Sequence, residues 1–376
     1  MKKEQDTERA TRAIVKLGAI AHNISGIRKK IGEGTGLMAV VKADGYGHGA
    51  VEVSLSALKS GADCLGVALP EEATPLRKAR IQVPILVLGL IQPCEAHKVT
   101  ASALEQTVCS LELAEALDQT ARGASVKVSI HMKVDTGMGR IGILPHDALA
   151  FARRMKRFKN LELKGIFSHF PCADERDTTF TQNQIEIFDD LVREMVASGI
   201  HIPQKHLANS AGVLAHPTSY YDLVRPGIMI YGLYPSSEVS RSVPLIPAMT
   251  LKSKVAHVKQ VPADTPLSYG RTHYTKKDTV VATLPLGYAD GYSRRLSNEG
   301  CAFIQGKRAP LIGRVCMDMC MFDVTHLKEV KAGDEAILFG EAPTVDEIAN
   351  KLGTINYEVV CAVGKRVPRI YVDHMV

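Results

Sequence analysis

An alternation restricts this chain more than any other feature. Apolar helical stripes and short apolar runs follow one another eight times before the pattern changes. The first stripe is Ile20, Ile24, Ile27 and Ile31, at i, i+4, i+7 and i+11, and a strand over 37–41 follows Gly-rich punctuation. Helices are then expected around 51–60, 71–80, 95–103, 111–120, 148–158 and 181–197 and near 211. Each leads to a strand, over 64–68, 85–88, 107–109, 126–134, 163–167, 206–209 and 224–230. Eight strand–helix units in roughly 230 residues are the arithmetic of an α/β fold closed as a (β/α)8 TIM barrel. The rival arrangement of the same units is an open doubly wound sheet.

Past Pro235 the pattern changes. Pro244, Pro247, Pro262, Pro266 and Pro285 punctuate short alternating segments over 251–258, 279–284, 309–324 and 335–339. One helix is expected there, with Thr344 and Glu347 in capping-box spacing ahead of Ile348 and Leu352. The reading is a barrel over 14–240 and a mostly β C-terminal domain over 241–376, to which residues 1–13 and the alternating stretch 13–17 are placed to add a strand.

Composition narrows the function class. The net charge is +6, but no five like charges run together, which favours a small anionic ligand over nucleic acid. The charged start lacks a signal-peptide core, and the apolar run over 85–91 is far too short to span a bilayer, so a cytoplasmic protein with no membrane partner is expected. Eight scattered cysteines are read as free thiols. Cys316, Cys320 and His326 lack the spacing of a usual zinc set, and no metal is expected.

Active sites of such barrels lie at the carboxyl ends of the strands. Lys42 closes the first apolar strand, where a desolvated amine is suited to Schiff-base chemistry with a carbonyl ligand, although a snorkelling lysine is the plainer reading of that segment alone. In the fifth strand, period two places His131, Lys133 and Asp135 on one face. The sixth strand ends at His169, the seventh near Asn209 and Ser210 and the eighth at Arg225 to Gly227 and Ile228, and the last two are where barrels often seat phosphate. An amine, an imidazole, a guanidinium and a phosphate seat together are what pyridoxal phosphate requires.

The segments that carry this chemistry are specific. They read AVVKADGYGHG (39–49), KVDTGMGRIG (133–142), RPGI (225–228), SYGR (268–271), LGYADG (286–291), CMD (316–318) and INYE (355–358). In this order the chain resembles the alanine racemase family from about Ala13 through Arg369. The resemblance implies that Lys42 binds pyridoxal 5'-phosphate covalently, and that Tyr46, Ser210, Tyr357 and the backbone of Gly227 and Ile228 hold its phosphate. It places His169 against the ring with Asn209 beside it, and Arg225 at the pyridine nitrogen. A guanidinium only donates, so that nitrogen would stay unprotonated and the ring would be a weaker electron sink.

Racemisation needs two acid–base groups, one on each face of Cα. The resemblance assigns Lys42 to D-alanine and Tyr269, from the second domain of a partner subunit, to L-alanine, which implies a homodimer with shared sites. Arg140 and the backbone at Met317 would hold the substrate carboxylate, and Tyr288 would narrow the pocket. Lys133 faces Arg140 as a second cation, and the resemblance resolves this by carbamylation of the lysine. Asp44-Gly45 stands where many members have Asn-Ala, leaving Lys42 and Tyr46 in register.

A pyridoxal phosphate carrier would resemble the barrel half alone, and the second domain with Tyr269 speaks against it. A barrel-type decarboxylase would need a Gly-Gly-Gly phosphate loop and a Glu-Pro-Gly-Arg segment, which are lacking. The expectation is interconversion of L- and D-alanine. Racemisation of serine, or of a broader set of small amino acids, is the alternative, since one added hydroxyl is hard for a small pocket to exclude.

Overall fold

The computed structural model describes residues 9–373. Residues 1–8, most of the charged start, and 374–376, the end of the expected second domain, lie outside the described residues. The chain divides into two compact units. Of the described residues, one gathers Ile20–Gly45 and Ala50–Ile246, and the other 9–19, Tyr46–Gly49 and 247–373.

The first unit is the barrel. Its eight parallel strands are β2 (Gly36–Val40), β3 (Cys64–Val67), β4 (Ile85–Val87), β5 (Glu105–Val108), β6 (Val128–Lys133), β7 (Leu161–Phe167), β8 (Gln204–His206) and β9 (Leu223–Val224). They pair in the order β8-β7-β6-β5-β4-β3-β2-β9, and the seam is drawn together by Asp222 N–H to the Lys205 carbonyl and Arg225 N–H to the Ala208 carbonyl, at 3.0 and 2.9 Å. An open doubly wound sheet is thereby set aside. The first helix, Leu17–Ile31, carries the isoleucine stripe, and Ile20, Ile24 and Ile27 are fully buried. Removing each such side chain from water stabilises the fold by about 1.5–3 kcal/mol.

Several expected bounds move for local reasons. The strand expected over 126–134 begins at Val128, because Val126 N–H closes the preceding helix on the Ala121 carbonyl and its side chain is exposed. The strand expected over 206–209 ends at His206, because Asn209 instead caps the helix Ser210–Ala215 by accepting from Gly212 N–H at 3.0 Å. The strand expected over 224–230 stops at Val224. Pro226 has no N–H for a ladder, Gly227 N–H is taken by Ser210 Oγ, and Ile228–Tyr231 coil into a 3-10 turn.

In the second unit, β1 (Arg12–Lys16) lies between β10 (Met249–Lys254) and β19 (Arg369–Val372). The strands between them in sequence are β11 (His257–Val261), β12 (Pro266–Leu267), β13 (His273–Tyr274), β14 (Thr279–Leu284), β15 (Cys301–Ile304), β16 (Lys307–Ile312), β17 (Cys320–Asp323) and β18 (Glu335–Phe339). Nine strands form one sheet in the order β11-β14-β17-β16-β15-β18-β10-β1-β19, while β12 and β13 make a separate hairpin. The segment expected over 251–258 breaks into β10 and β11, since Val255 N–H turns aside to the Asp334 carbonyl. That expected over 309–324 becomes β16 and β17 with a loop between them. Thr344 caps the helix Val345–Leu352 by accepting from Glu347 N–H. Among the described residues no helix is long and apolar enough to cross a membrane.

Candidate active site

Lys42 stands at the carboxyl end of β2 and is exposed. The chain then turns left-handed through Ala43, Asp44, Gly45 and Tyr46, with φ of 52°, 53°, 62° and 50°. Only glycine takes this region without steric cost, and L residues forgo about 1–2 kcal/mol each, so the turn needs external support. Ala43 N–H donates to Glu72 Oε1 at 2.7 Å, and Asp44 Oδ1 accepts from Ala50 N–H at 2.9 Å. Glu72 also accepts from the amides of Ala68 and Leu69, tying the turn after Lys42 to the loop after β3.

β6 carries Lys133 into the interior, where it is 2% exposed and donates only to the Val134 carbonyl, at 3.2 Å. Burial first, and then the charge of Arg225 with a further push from Arg140, brings its pKa down to about 7. Its Nζ lies 4.9 Å from the centre of the Phe167 ring, and the Arg225 guanidinium 5.1 Å from it. Two cations thus share one aromatic ring. The Asp135 carboxylate opposes the fall of the Lys133 pKa in part, raising it. It also accepts from Gly137 and Gly139 N–H, shaping the loop that leaves Arg140 exposed. Gly142 has φ of +129°, and a Cβ there would meet Asp135 N at 2.7 Å, so the return of this loop requires glycine.

Arg225 is 4% exposed, and none of its hydrogen-bond partners among the described residues is a carboxylate. It donates to the Ser168 and Leu207 carbonyls at 2.8 and 3.1 Å and to His206 Nδ1 at 2.9 Å. Burial pulls its pKa down to about 9, so it remains a cation at neutral pH. Behind it runs a buried chain: His206 Nε2 to His131 Nδ1 at 2.8 Å, and His131 Nε2 to Glu105 at 3.0 Å, with Lys164 paired to the other Glu105 oxygen. His169, half-buried, is kept neutral. Burial and the charges of Arg225, Lys133, Arg140 and Lys42 hold its pKa well below the usual imidazole value.

Beside these groups Ser210 Oγ accepts from Gly227 and Met229 N–H at 2.9 and 3.4 Å, joining the start of one short helix to the 3-10 turn that begins at Ile228. Asn209 donates to the Phe170 carbonyl at 3.5 Å. The barrel therefore brings Lys42, Lys133, Arg140, His169, Asn209, Ser210, Arg225, Gly227 and Ile228 to its carboxyl face.

The second unit holds the other candidates. Tyr46 and Tyr357 lie with ring centres 6.1 Å apart. The short segment bearing Tyr46 is gripped closely, for a Cβ on Gly47 would fall 2.3 Å from the Val360 carbonyl oxygen, and Arg369 donates to the Gly47 carbonyl at 3.0 Å. Tyr269 caps the β12–β13 hairpin, held from beneath by Ser268 Oγ donating to the Arg314 carbonyl at 2.9 Å. Tyr288 and Ala289 N–H donate to the Cys316 and Met317 carbonyls, so the loops bearing Tyr288 and Met317 are clamped together. Sequence reasoning did not mark Glu72, His206, Glu105 or Phe167. Glu72 carried a signal, lying three residues past Leu69 at the start of the helix Pro70–Lys78.

Comparison with known proteins agrees over both units. Residues 15–235 match the family described as alanine racemase, N-terminal domain, and residues 248–371 that described as alanine racemase, C-terminal domain. The alanine racemase of Desulforamulus reducens is 48% identical over 363 residues, covering 96% of this chain and 98% of its own. That of Methanococcus maripaludis is 46% identical over 365 residues, covering 96% and 98%. Among solved structures, alanine racemase of Clostridium difficile 630 superposes with a TM-score of 0.93 at 37% identity, covering 96% of each chain. Alanine racemase of Bacillus anthracis with bound L-Ala-P gives 0.91 at 37%, covering 97% and 95%. A closed parallel barrel with a cationic mouth, joined in sequence to a mostly β unit, defines a class of barrel-type amino acid isomerases. Within it, this chain belongs to the alanine racemase family.

Proposed function

We propose that the protein interconverts L- and D-alanine with pyridoxal 5'-phosphate, with Lys42 and Tyr269 as its two acid–base groups. The observation that carries this reading is the donor set of the barrel mouth. Arg225 offers only donors and has no carboxylate partner among the described residues, and His169 is a neutral ring whose pKa is lowered by burial and by Arg225, Lys133, Arg140 and Lys42. That set fits a phosphorylated pyridine aldehyde: positive charge meets the phosphate, and a ring nitrogen facing Arg225 must accept. Pyridoxal phosphate, when bound, supplies the electron-withdrawing ring that acidifies Cα of the amino acid joined to it.

In this reading Lys42 would hold the cofactor through Nζ, and its amine would take or return the Cα proton on one face. Tyr269 Oη does the same on the other, Lys42 serving D-alanine and Tyr269 L-alanine. Tyr46, Ser210, Tyr357 and the backbone of Gly227 and Ile228 would hold the phosphate, and Asn209 would support the ring. Arg140 and the Met317 backbone receive the substrate carboxylate, and Tyr288 restricts its side chain. Lys133, with its amine pKa near 7, has a large neutral fraction at physiological pH. Its nitrogen attacks carbon dioxide, loses one proton to solvent and becomes a carbamate, which turns a repelled cation into an acceptor for Arg140.

Tyr269 is 71% exposed, Met317 53% and Met319 54%, large apolar side chains left outward on one unit. A homodimer with shared sites would cover them. The relatives compared above are named alanine racemases, which sets alanine ahead of serine. Supply of D-alanine as a peptidoglycan precursor in the cytoplasm is the role this reading assigns. A panel of L-amino acids offered to cofactor-loaded protein, with chiral analysis of the products, tests it. Alanine should racemise fastest, and absence of any D-alanine would overturn the reading.

A further inference from the structure

Barrel interiors are ordinarily filled by branched apolar side chains. Here a continuous polar line crosses the interior from the mouth at Arg225 to Glu105 at the beginning of β5, with every link between 2.8 and 3.0 Å. His131 and His206 are fully buried. The site is shaped for them. A Cβ on Gly165 would fall 2.2 Å from His131 Nδ1, and the Phe167 ring stacks on His206 at 4.8 Å and 6°.

The chemistry of the two ends sets the direction of every proton between them. A guanidinium can only donate, so His206 Nδ1 must accept from Arg225. His206 Nε2 then carries the hydrogen and donates to His131 Nδ1. His131 Nε2 in turn carries its hydrogen and donates to Glu105, an ionised carboxylate that only accepts. Both imidazoles are neutral, with the same tautomer. Lys164, on the far side, pins the other Glu105 oxygen.

We propose that Glu105 and His131 are positioning residues for Arg225, their oriented chain supplying its counter-charge from the far end of the barrel interior. The arrangement solves a conflict. A buried guanidinium calls for an anion, but a carboxylate in direct contact would take the hydrogens that Arg225 must offer to an accepting ring nitrogen. Moving the anion two imidazoles away leaves those hydrogens free, and aligned hydrogen bonds polarise one another along the line. The chain also holds Nη1 in place from behind, so that the guanidinium cannot turn away from the mouth.

This proposal rests on the functional reading above, and the experiment separates the two. In cofactor-loaded protein labelled with 15N-histidine, with resonances assigned by their loss in His131→Gln and His206→Gln, both residues should show neutral rings protonated at Nε2. A hydrogen on Nδ1 of either ring, or a cationic ring, would overturn the proposal. Glu105→Gln keeps an accepting oxygen but removes the charge. It should lower kcat for alanine by about tenfold with KM little changed, and adding His131→Leu should not multiply the loss, as expected of residues acting as a unit. Full kcat in Glu105→Gln, or losses that multiply, would likewise overturn it. If that variant does not fold, the tautomers of the native protein decide alone. Native protein that fails to racemise alanine would instead sink the functional reading.

Discussion

The two units hold their candidate residues in opposite ways. In the barrel, Arg225 and Lys133 are 4% and 2% exposed, and each is fixed by strands, carbonyls and rings of its own unit. In the β-rich unit, Tyr269 sits at the tip of a two-stranded hairpin with most of its ring in solvent. Charges that define an electrostatic environment must be buried, where their interactions are little screened. A group that only ferries a proton can be presented on a loop, provided something later excludes water around it. The contrast teaches that the barrel is preorganised within one chain, whereas the β-rich unit offers a half-finished surface.

Removing Lys42 should break the barrel side most completely. Lys42→Ala should lose more than about a thousandfold of kcat, the scale expected for a combined nucleophile and base. Borohydride reduction of native loaded protein followed by peptide mapping should find the pyridoxyl group on Lys42, and a label on Lys133 would contradict the assignment. Next in size is Tyr269→Ala, a loss of about a hundredfold or more that should be one-sided. Deuterium from solvent should still enter D-alanine, while exchange from L-alanine collapses. Equal losses from both enantiomers, with cofactor retained, would show that Tyr269 does not serve a single face. Mixing Lys42→Ala with Tyr269→Ala protomers sharpens the comparison further. If sites are shared, the purified heterodimer contains one intact site and regains up to about half the native activity.

Lys133 supplies a smaller, pH-dependent test. Burial and the cations around it lower its pKa to about 7, whereas the unfolded lysine titrates near 10.5. Between those values the unfolded chain binds the extra proton, so stability contributed by this site rises with pH across the window. The neutral amine, and with it the carbamate, should also increase as pH climbs through 7. A 13C carbamate signal from labelled bicarbonate, growing from pH 6 to pH 8 and lost in Lys133→Met, is the expected result. The smallest effect should come from Thr344→Ala, which removes a helix cap in the β-rich unit and costs about 1 kcal/mol. Calorimetry should register it without any change in pyridoxyl labelling of Lys42.

Much of the barrel was legible because its helices and strands obey periods that local sequence displays, as the isoleucines from Ile20 to Ile31 do. The ends of strands were less so. Asn209 is a favoured helix-capping type, yet the same stretch also reads as strand, and nothing local says that Gly227 will give its N–H to Ser210 rather than to a ladder. Strand-end position also drew attention to Lys42, His169 and Arg225 together, while Arg140 came only with the family resemblance. Glu105 left no trace of its role, for it opens β5 like any solvent-facing glutamate and acquires its partners His131 and Lys164 from β6 and β7.

By itself, then, the sequence determined which segments are helix and strand, where the barrel pattern gives way to β structure, and which residue types terminate the strands. Those are consequences of backbone preference and side-chain period, and they act over a few residues at a time. The left-handed turn after Lys42, the lowered pKa of Lys133 and the directed line from Arg225 to Glu105 were decided only in three dimensions. Each depends on burial and on partners tens of residues away, as His131 depends on His206 and on the space left by Gly165. Hydrogen bonds of fixed direction and charges without solvent exist only once the strands have closed around them.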